Sequence, residues 1–163
     1  MALIGIITEV PGGIPEHAVK QFRRTTRTLL TRDIDGKSCF IEYRRDMYLG
    51  VLGGEINVGE SVVAAFRREI REEAGCEIRT FARLGTVREY AQDGFTGEEG
   101  EYFLARTPGT VVPPEYTDSE SAGKPHPVWL TLHEARERFA RQVKGLSRYR
   151  AEFLLDAVSD CSY

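Results

Sequence analysis

Hydrophobic and polar positions alternate from Arg24 to Thr31, and an apolar run follows from Cys39 to Tyr43. Alternation with period two sends successive side chains to opposite faces of a strand, and Asp-Gly between two such segments is a strong hairpin signal. Asp35-Gly36 therefore joins two paired strands. Leu3 to Ile7 reads as a first strand, and Tyr48 to Leu52 as another that leads into a loop with glycines at 53, 54 and 59. There the period changes. Val63, Phe66, Ile70 and Ala74 recur at helical spacing, which predicts one apolar stripe on a helix. Ser61 is a good N-cap and Gly75 suits the position just past the last turn, so the helix runs from Ser61 to Ala74.

After the helix, Ile78 to Tyr90 has strand character with an interruption near Gly85, and Gln92 to Gly100 reads as a polar, glycine-rich loop. Tyr102 to Arg106 is expected to be a short central strand. The segment Pro108 to Pro127, with prolines at 108, 113, 114, 125 and 127, reads as an irregular surface loop. Val128 to Thr131 forms a further strand. Thr131-Leu132-His133-Glu134 is a capping box that opens a helix through about Val143. Ser147 is expected to cap a last helix with Tyr149, Phe153, Leu154 and Ala157 on its inner face. Strands on both sides of one helix, with two helices at the end, predict an α/β protein whose mixed sheet lies between helical layers. The whole chain, 1–163, reads as one domain: a core over 23–143, a last helix over 147–159, and an extension or added strand over 1–22.

The chemistry sits on the predicted helix. Glu69, Glu72 and Glu73 lie at i, i+3 and i+4 and share one face. Such carboxylates repel one another, and negative charge is disfavoured toward a helix C-terminus. A hard divalent cation would relieve the repulsion; Mg²⁺ takes oxygen ligands, keeps waters and commonly bridges carboxylates to substrate phosphates. It would also polarise phosphorus and lower the pKa of an attacking water. Glycines in the entry loop let the backbone come close to metal and phosphate. Arg67 and Arg71 fall on the opposite, wet side, whereas Arg68 lies beside the acidic face, one turn before Glu72.

Residues Gly54 to Cys76, GEINVGESVVAAFRREIREEAGC, fit the pattern G-x5-E-x7-R-E-U-x-E-E-x-G-U, where U is a bulky apolar residue. Gly54, Glu60, Arg68, Glu69, Glu72, Glu73 and Gly75 fill the fixed positions and Ile70 the first apolar one; Cys76 stands where an aliphatic is more usual. The pattern resembles the signature of the Nudix hydrolases, which cleave nucleoside diphosphates linked to another moiety X with the help of Mg²⁺ or Mn²⁺. The resemblance implies the Nudix fold, an α/β/α sandwich, and covers roughly Arg23 to Val143. It implies metal ligation by Gly54 (through its carbonyl), Glu69, Glu72 and Glu73. Glu69, or a carboxylate outside the box, would help to deprotonate water. Arg68 would hold the glutamates, and Glu60 would brace loop and helix. Many relatives form homodimers, and the N-terminal segment is a candidate for pairing between subunits.

Composition narrows the partners. The length fits one domain with a substantial core, and the 41 % apolar and 29 % charged residues are those of a soluble globular protein. The net charge of −3 gives no basic footprint for duplex nucleic acid. Cys39, Cys76 and Cys161 are far apart and lack metal or redox spacing, so they read as reduced thiols of a cytoplasmic protein. His17, His126 and His133 are isolated and read as surface or packing residues. No stretch is long enough to span a membrane, and Leu3 to Ile7 lacks the flanks of a signal peptide.

The substrate's nucleoside or X moiety is chosen outside the box. Candidate aromatic platforms are Tyr48, Tyr90, Tyr102, Phe103 and Trp129. A further carboxylate could come from Glu98, Glu99, Glu115 or Glu120; Tyr48, Tyr90, Phe103 and Glu120 form the substrate-binding set expected here. The segments Glu101 to Arg106 and Val128 to Leu130 are similar to small MutT-type members of the family, so the expected activity is a pyrophosphohydrolase of (d)NTP-type nucleotides. The alternatives are ADP-ribose, nucleotide-sugar or dinucleoside-polyphosphate hydrolysis. Readings of another class are a nucleotide sensor without turnover, and an isopentenyl-diphosphate-type isomerase, which would need a catalytic cysteine such as Cys39.

Overall fold

In a computed structural model that describes residues 2–14, 21–43, 48–109 and 125–160, the two phases of strand β2 (Arg23–Arg32) feed two different cores. Leu29 joins one and its neighbour Leu30 the other. Phe40 and Cys39 divide in the same way on β3 (Ser38–Tyr43). A sheet that is apolar on both faces must be covered on both. Helix α1 (Val62–Ala74) buries Phe66, Ile70 and Ala74 on one face. On the other, α2 (Leu132–Arg141) contributes Ala135 and Phe139, and α3 (Leu146–Asp160) contributes Ala151, Leu154 and Leu155. The remaining strands are β1 (Leu3–Thr8), β4 (Tyr48–Gly50), β5 (Thr80–Tyr90), β6 (Gly97–Thr107) and β7 (His126–Leu130). Strand order is β1-β5-β6-β2-β3-β4, with β7 also paired to β3. β1 is parallel to β5, and β6 to β2; the other ladders are antiparallel. This is the α/β/α arrangement of a mixed sheet between helices.

The hairpin closes at Asp35-Gly36, with Gly36 at φ 68° and the Asp35 carboxylate accepting the Lys37 N–H at 3.1 Å. β2 and β3 pair only at Leu30–Cys39 and Thr31–Ser38, next to that turn. Farther along, β3 departs and the segment after β4 takes its place against β2. Thr28 N–H donates to the Leu52 carbonyl at 2.8 Å, Thr26 N–H to Gly54 at 2.9 Å, and Ile56 N–H to Arg24 at 2.9 Å. This substitution of a loop for a strand carries Gly53 and Gly54 into the sheet and sets where α1 starts.

Several boundaries differ from the sequence expectation. The polar stretch Gly97 to Gly100 belongs to β6 and not to a loop; the turn is confined to residues 91–96, closed by Ala91 N–H to Thr96 carbonyl at 3.0 Å. Polarity misleads there because β6 is hydrogen-bonded on both edges, to β2 and β5, and arginines satisfy its inward glutamates. The bulge in β5 falls between Arg83 and Gly85, where the interruption was expected. Ser147 does not cap α3: the helix starts at Leu146, whose N–H is taken by Glu9 at 2.6 Å, and the Ser147 hydroxyl donates to the Leu49 carbonyl at 2.6 Å. On α1, Ala65 is buried and Val63 is exposed. β7 begins at His126 and includes Pro127, as a strand that pairs on one side can. Ser61 caps α1 through Ala64 N–H, Gly75 closes it at φ 64°, and the Thr131–Glu134 capping box is formed. No described helix is long and apolar enough to cross a membrane.

Candidate active site

The loop between β4 and α1 approaches the sheet and the helix more closely than any side chain would allow. Gly53 has φ 129°, and a Cβ there would fall within the van der Waals shell of the Thr26 carbonyl oxygen. A Cβ on Gly54 would stand 2.5 Å from Glu69 Oε1. The two glycines thus bring the loop backbone against the acidic face of α1. The Gly53 N–H donates to Glu73 Oε2 at 2.7 Å. Burial pushes the Glu73 carboxyl up to about 7; the Gly53 hydrogen bond and Arg27 oppose that rise, while Glu69 and Glu72 add to it.

Arg68 uses its whole guanidinium to fix this face. Nε and Nη2 grip the two Glu60 oxygens at 2.9 and 3.0 Å, and Nη1 reaches Glu69 Oε1 at 2.7 Å and Glu72 Oε2 at 3.2 Å. Nη2 also donates to the Glu55 carbonyl at 2.9 Å. Glu60 accepts the Asn57 N–H at 3.1 Å, so a single ion pair ties loop to helix. Bidentate guanidinium–carboxylate pairs fix orientation as well as distance. Among the described residues no three His, Cys, Asp or Glu side chains form a ready-made metal cluster. Yet Glu69 Oε2, Glu72 Oε1 and Glu73 Oε1 make no hydrogen bond to the described residues. Among the described residues the Gly54 carbonyl accepts only Thr26 N–H, which leaves it one lone pair toward them. These are hard oxygen donors of the kind Mg²⁺ and Mn²⁺ take.

A polar cleft opens beside Gly53, lined by Arg27, Tyr43, Tyr48, Ser147 and Arg150. Of the expected aromatic platforms only Tyr48 reaches it, half-exposed and stacked on Tyr43 with ring centroids 4.5 Å apart. Phe103 is corrected to a core residue: it is fully buried and stacks on Phe66 at 4.2 Å, because its phase on β6 points under α1. Tyr90 is likewise packed away, edge-on to Phe22 at 5.6 Å and 8 % exposed. Tyr102 is buried with its hydroxyl on Glu89 at 2.7 Å, and Trp129 lies under the Arg32 guanidinium. Glu120 and Glu115 lie outside the described residues. Glu99 pairs with Arg88 at 2.9 Å. Glu98 is buried: desolvation alone would raise its carboxyl, but Arg27, Arg23 and Arg150 outweigh that and hold it below the usual range. Cys39 is fully buried, its thiol pushed well up by burial and by Cys76 and Glu73, so it cannot serve the isomerase reading as an accessible acid or nucleophile.

Arg27, Tyr43, Ser147 and Arg150 were not anticipated as site residues. Two of them left a signal in the sequence. Arg27 occupies the inward phase of β2 between Thr25 and Leu29, and Arg150 sits in the helical series Leu146, Arg150, Phe153, Ala157. A cation in an apolar phase calls for a buried partner or a ligand.

The NUDIX domain model matches residues 18–151 of this chain. The fold is similar to that of a NUDIX hydrolase from Nitrosomonas europaea, with a TM-score of 0.64 and 19 % identity over 88 % of this chain and 97 % of that one. Comparison with curated proteins finds no match.

Proposed function

We propose, from the premise that this chain belongs to the NUDIX family and is a hydrolase of pyrophosphate bonds in nucleotide derivatives, that it acts on (d)NTP-type nucleotides with Mg²⁺ or Mn²⁺. The observation that carries this reading is the meeting of the Gly53–Gly54 backbone with Glu69 and Glu73, each of which keeps one carboxylate oxygen without a hydrogen bond to the described residues. Divalent-metal use is general in the family, and the donor set supports it here. A buried carboxyl near two other carboxylates is costly to ionise, and a hard cation offsets that cost.

Glu69, Glu72, Glu73 and the Gly54 carbonyl would hold the ion, which when bound supplies charge neutralisation at the phosphates and a more acidic water. Glu69 receives the proton of the water that attacks phosphorus; the P–O bond of the anhydride breaks and the leaving phosphate carries away its electron pair. Arg68 positions Glu69 and Glu72 for this, and Glu60 anchors Arg68 to the loop. Gly75 ends the helix one residue after its last buried turn. The free, buried thiol of Cys39 is compatible with a reducing, cytoplasmic setting.

The nucleotide products would be separated by ion-exchange chromatography after incubation with dNTPs, 8-oxo-dGTP, ADP-ribose, nucleotide sugars and diadenosine polyphosphates, in Mg²⁺, in Mn²⁺ and in EDTA. The reading predicts turnover of a triphosphate that EDTA abolishes. Turnover that persists in EDTA refutes the metal assignment, and hydrolysis of ADP-ribose alone refutes the substrate assignment.

A further inference from the structure

The chemistry of bond cleavage leaves the cleft beside Gly53 without a role. Two of its walls are arginines drawn from opposite ends of the chain, Arg27 on β2 and Arg150 on α3. They belong to a buried charge cluster. Glu98 is shared by Arg27 at 2.6 Å, Arg150 at 3.1 Å and Arg23. Glu89, fully buried, accepts Arg150 Nε at 2.6 Å and the Tyr102 hydroxyl. Three guanidiniums therefore face two carboxylates.

The donors are not exhausted by these acceptors. Arg27, whose side chain is only 8 % exposed, keeps a buried Nε with no hydrogen bond to the described residues. Arg150 Nη1 makes none to the described residues. Buried donors without acceptors are rare and costly, and each calls for an explanation. Both residues line one cleft, among whose described lining residues there is no carboxylate. Gly53, which lines that cleft, is also the residue whose N–H holds Glu73, so one loop residue borders both the cleft and the candidate reaction centre. It continues past Tyr48 and Ser147 to a wider hollow edged by Arg138 and Arg141. Guanidiniums are suited to phosphate because their planar donor fork matches its oxygens.

We propose that this cleft receives a substrate phosphate other than the two joined by the scissile bond, with Arg150 and Arg27 as its specificity-determining donors, so that the chain prefers nucleotides with three or more phosphates over diphosphates capped by a neutral group. The proposal rests on the hydrolase reading above and adds which substrates that site accepts. Arg150 is the better probe, since Arg27 also packs against the Gly53 loop.

The test has a kinetic arm and a binding arm. Wild type and Arg150→Met are compared on a nucleoside triphosphate and on the matching nucleoside diphosphate sugar. The loss of charge-assisted hydrogen bonds should raise KM for the triphosphate by roughly 10- to 100-fold with kcat nearly unchanged, and leave the sugar nucleotide unaffected. An equal loss on both substrates, or a wild type that turns over the sugar nucleotide as well as the triphosphate, overturns the proposal. Arg150 also neutralises buried Glu89 and Glu98, so the variant can fail to fold. The binding arm therefore uses the wild-type chain, titrated calorimetrically with inorganic tripolyphosphate and with pyrophosphate. At least roughly tenfold tighter binding of tripolyphosphate, one charged pair's worth, supports the site; equal affinities refute it. No turnover of any nucleotide sinks the hydrolase reading, whereas turnover with equal affinities sinks only the phosphate site.

Discussion

Gly54→Ala separates the geometry of the acidic face from the stability of the fold. The new Cβ would lie 2.5 Å from Glu69 Oε1 and 2.7 Å from its Cδ, against the 3.4 Å at which ordinary contact begins. The carboxylate must therefore retreat by about 0.9 Å. It is the far end of a side chain, so the backbone need not move, and Gly54 carries no positive φ that would strain an alanine. The retreat is nevertheless resisted, because Arg68 Nη1 holds the same oxygen at 2.7 Å and is itself tied to Glu60. A misplacement of about 1 Å in a reacting group costs on the order of 100-fold in rate, or about 2.7 kcal/mol of transition-state stabilisation. We expect kcat/KM to fall by about that factor while the thermal midpoint shifts by no more than a few degrees. Gly53→Ala is the control, because there the clash is with the Thr26 backbone and φ is 129°, so folding suffers. The measurement pairs steady-state hydrolysis with circular-dichroism melts of both variants. Gly54→Ala with full kcat/KM refutes the reasoning, as does a Gly54→Ala melt lowered as far as that of Gly53→Ala.

Glu98→Gln removes the acceptor shared by three arginines and should cost about 3 kcal/mol at neutral pH, measured by urea unfolding. Because the folded Glu98 carboxyl lies below its unfolded value of about 4.3, its contribution is present above that pH and disappears as pH falls through the folded value. Wild type should then lose more stability than Glu98→Gln on acidification below about pH 4.3, and parallel acid limbs would contradict this. Thr131→Ala breaks the α2 capping box and should cost about 1 kcal/mol with hydrolysis unchanged, checked by the same unfolding experiment. Arg68→Lys cannot grip both Glu60 oxygens and both neighbouring glutamates, so kcat/KM should drop roughly tenfold or more in the hydrolysis assay.

The fold was legible in the sequence wherever local chemistry decides it. Ser61, Gly75, Thr131 with Glu134, and Asp35-Gly36 each act within a few residues of themselves, and each is found as expected. The misreadings share a cause at longer range. Gly97 to Gly100 is a strand because β2 and β5 lie on either side and arginines distant in the chain neutralise its glutamates, none of which its own polarity reveals. Ser147 was read as a cap for want of knowing that Glu9 serves the α3 terminus. The carboxylate face of α1 was readable as a helix pattern, since spacing alone brings Glu69, Glu72 and Glu73 together. The cleft was not, because Arg27, Tyr43 and Arg150 meet only through the sheet's departure from β3 and the docking of α3. Phe103 and Tyr90 show the converse: an aromatic on a strand is a platform or a core residue according to its phase and what covers it.

The central claim is that the α1 carboxylates held against the glycine loop make the hydrolytic centre. Glu73→Gln tests it most directly, because the amide keeps the shape of a side chain whose Oε2 accepts the Gly53 N–H while removing its charge. Hydrolysis of the best nucleotide found for the wild type would be measured in saturating Mg²⁺, with a melt to verify the fold. The account predicts a rate lower by a factor on the order of 10²–10⁴ in a protein that melts like the wild type. A folded Glu73→Gln variant with a wild-type rate would contradict it.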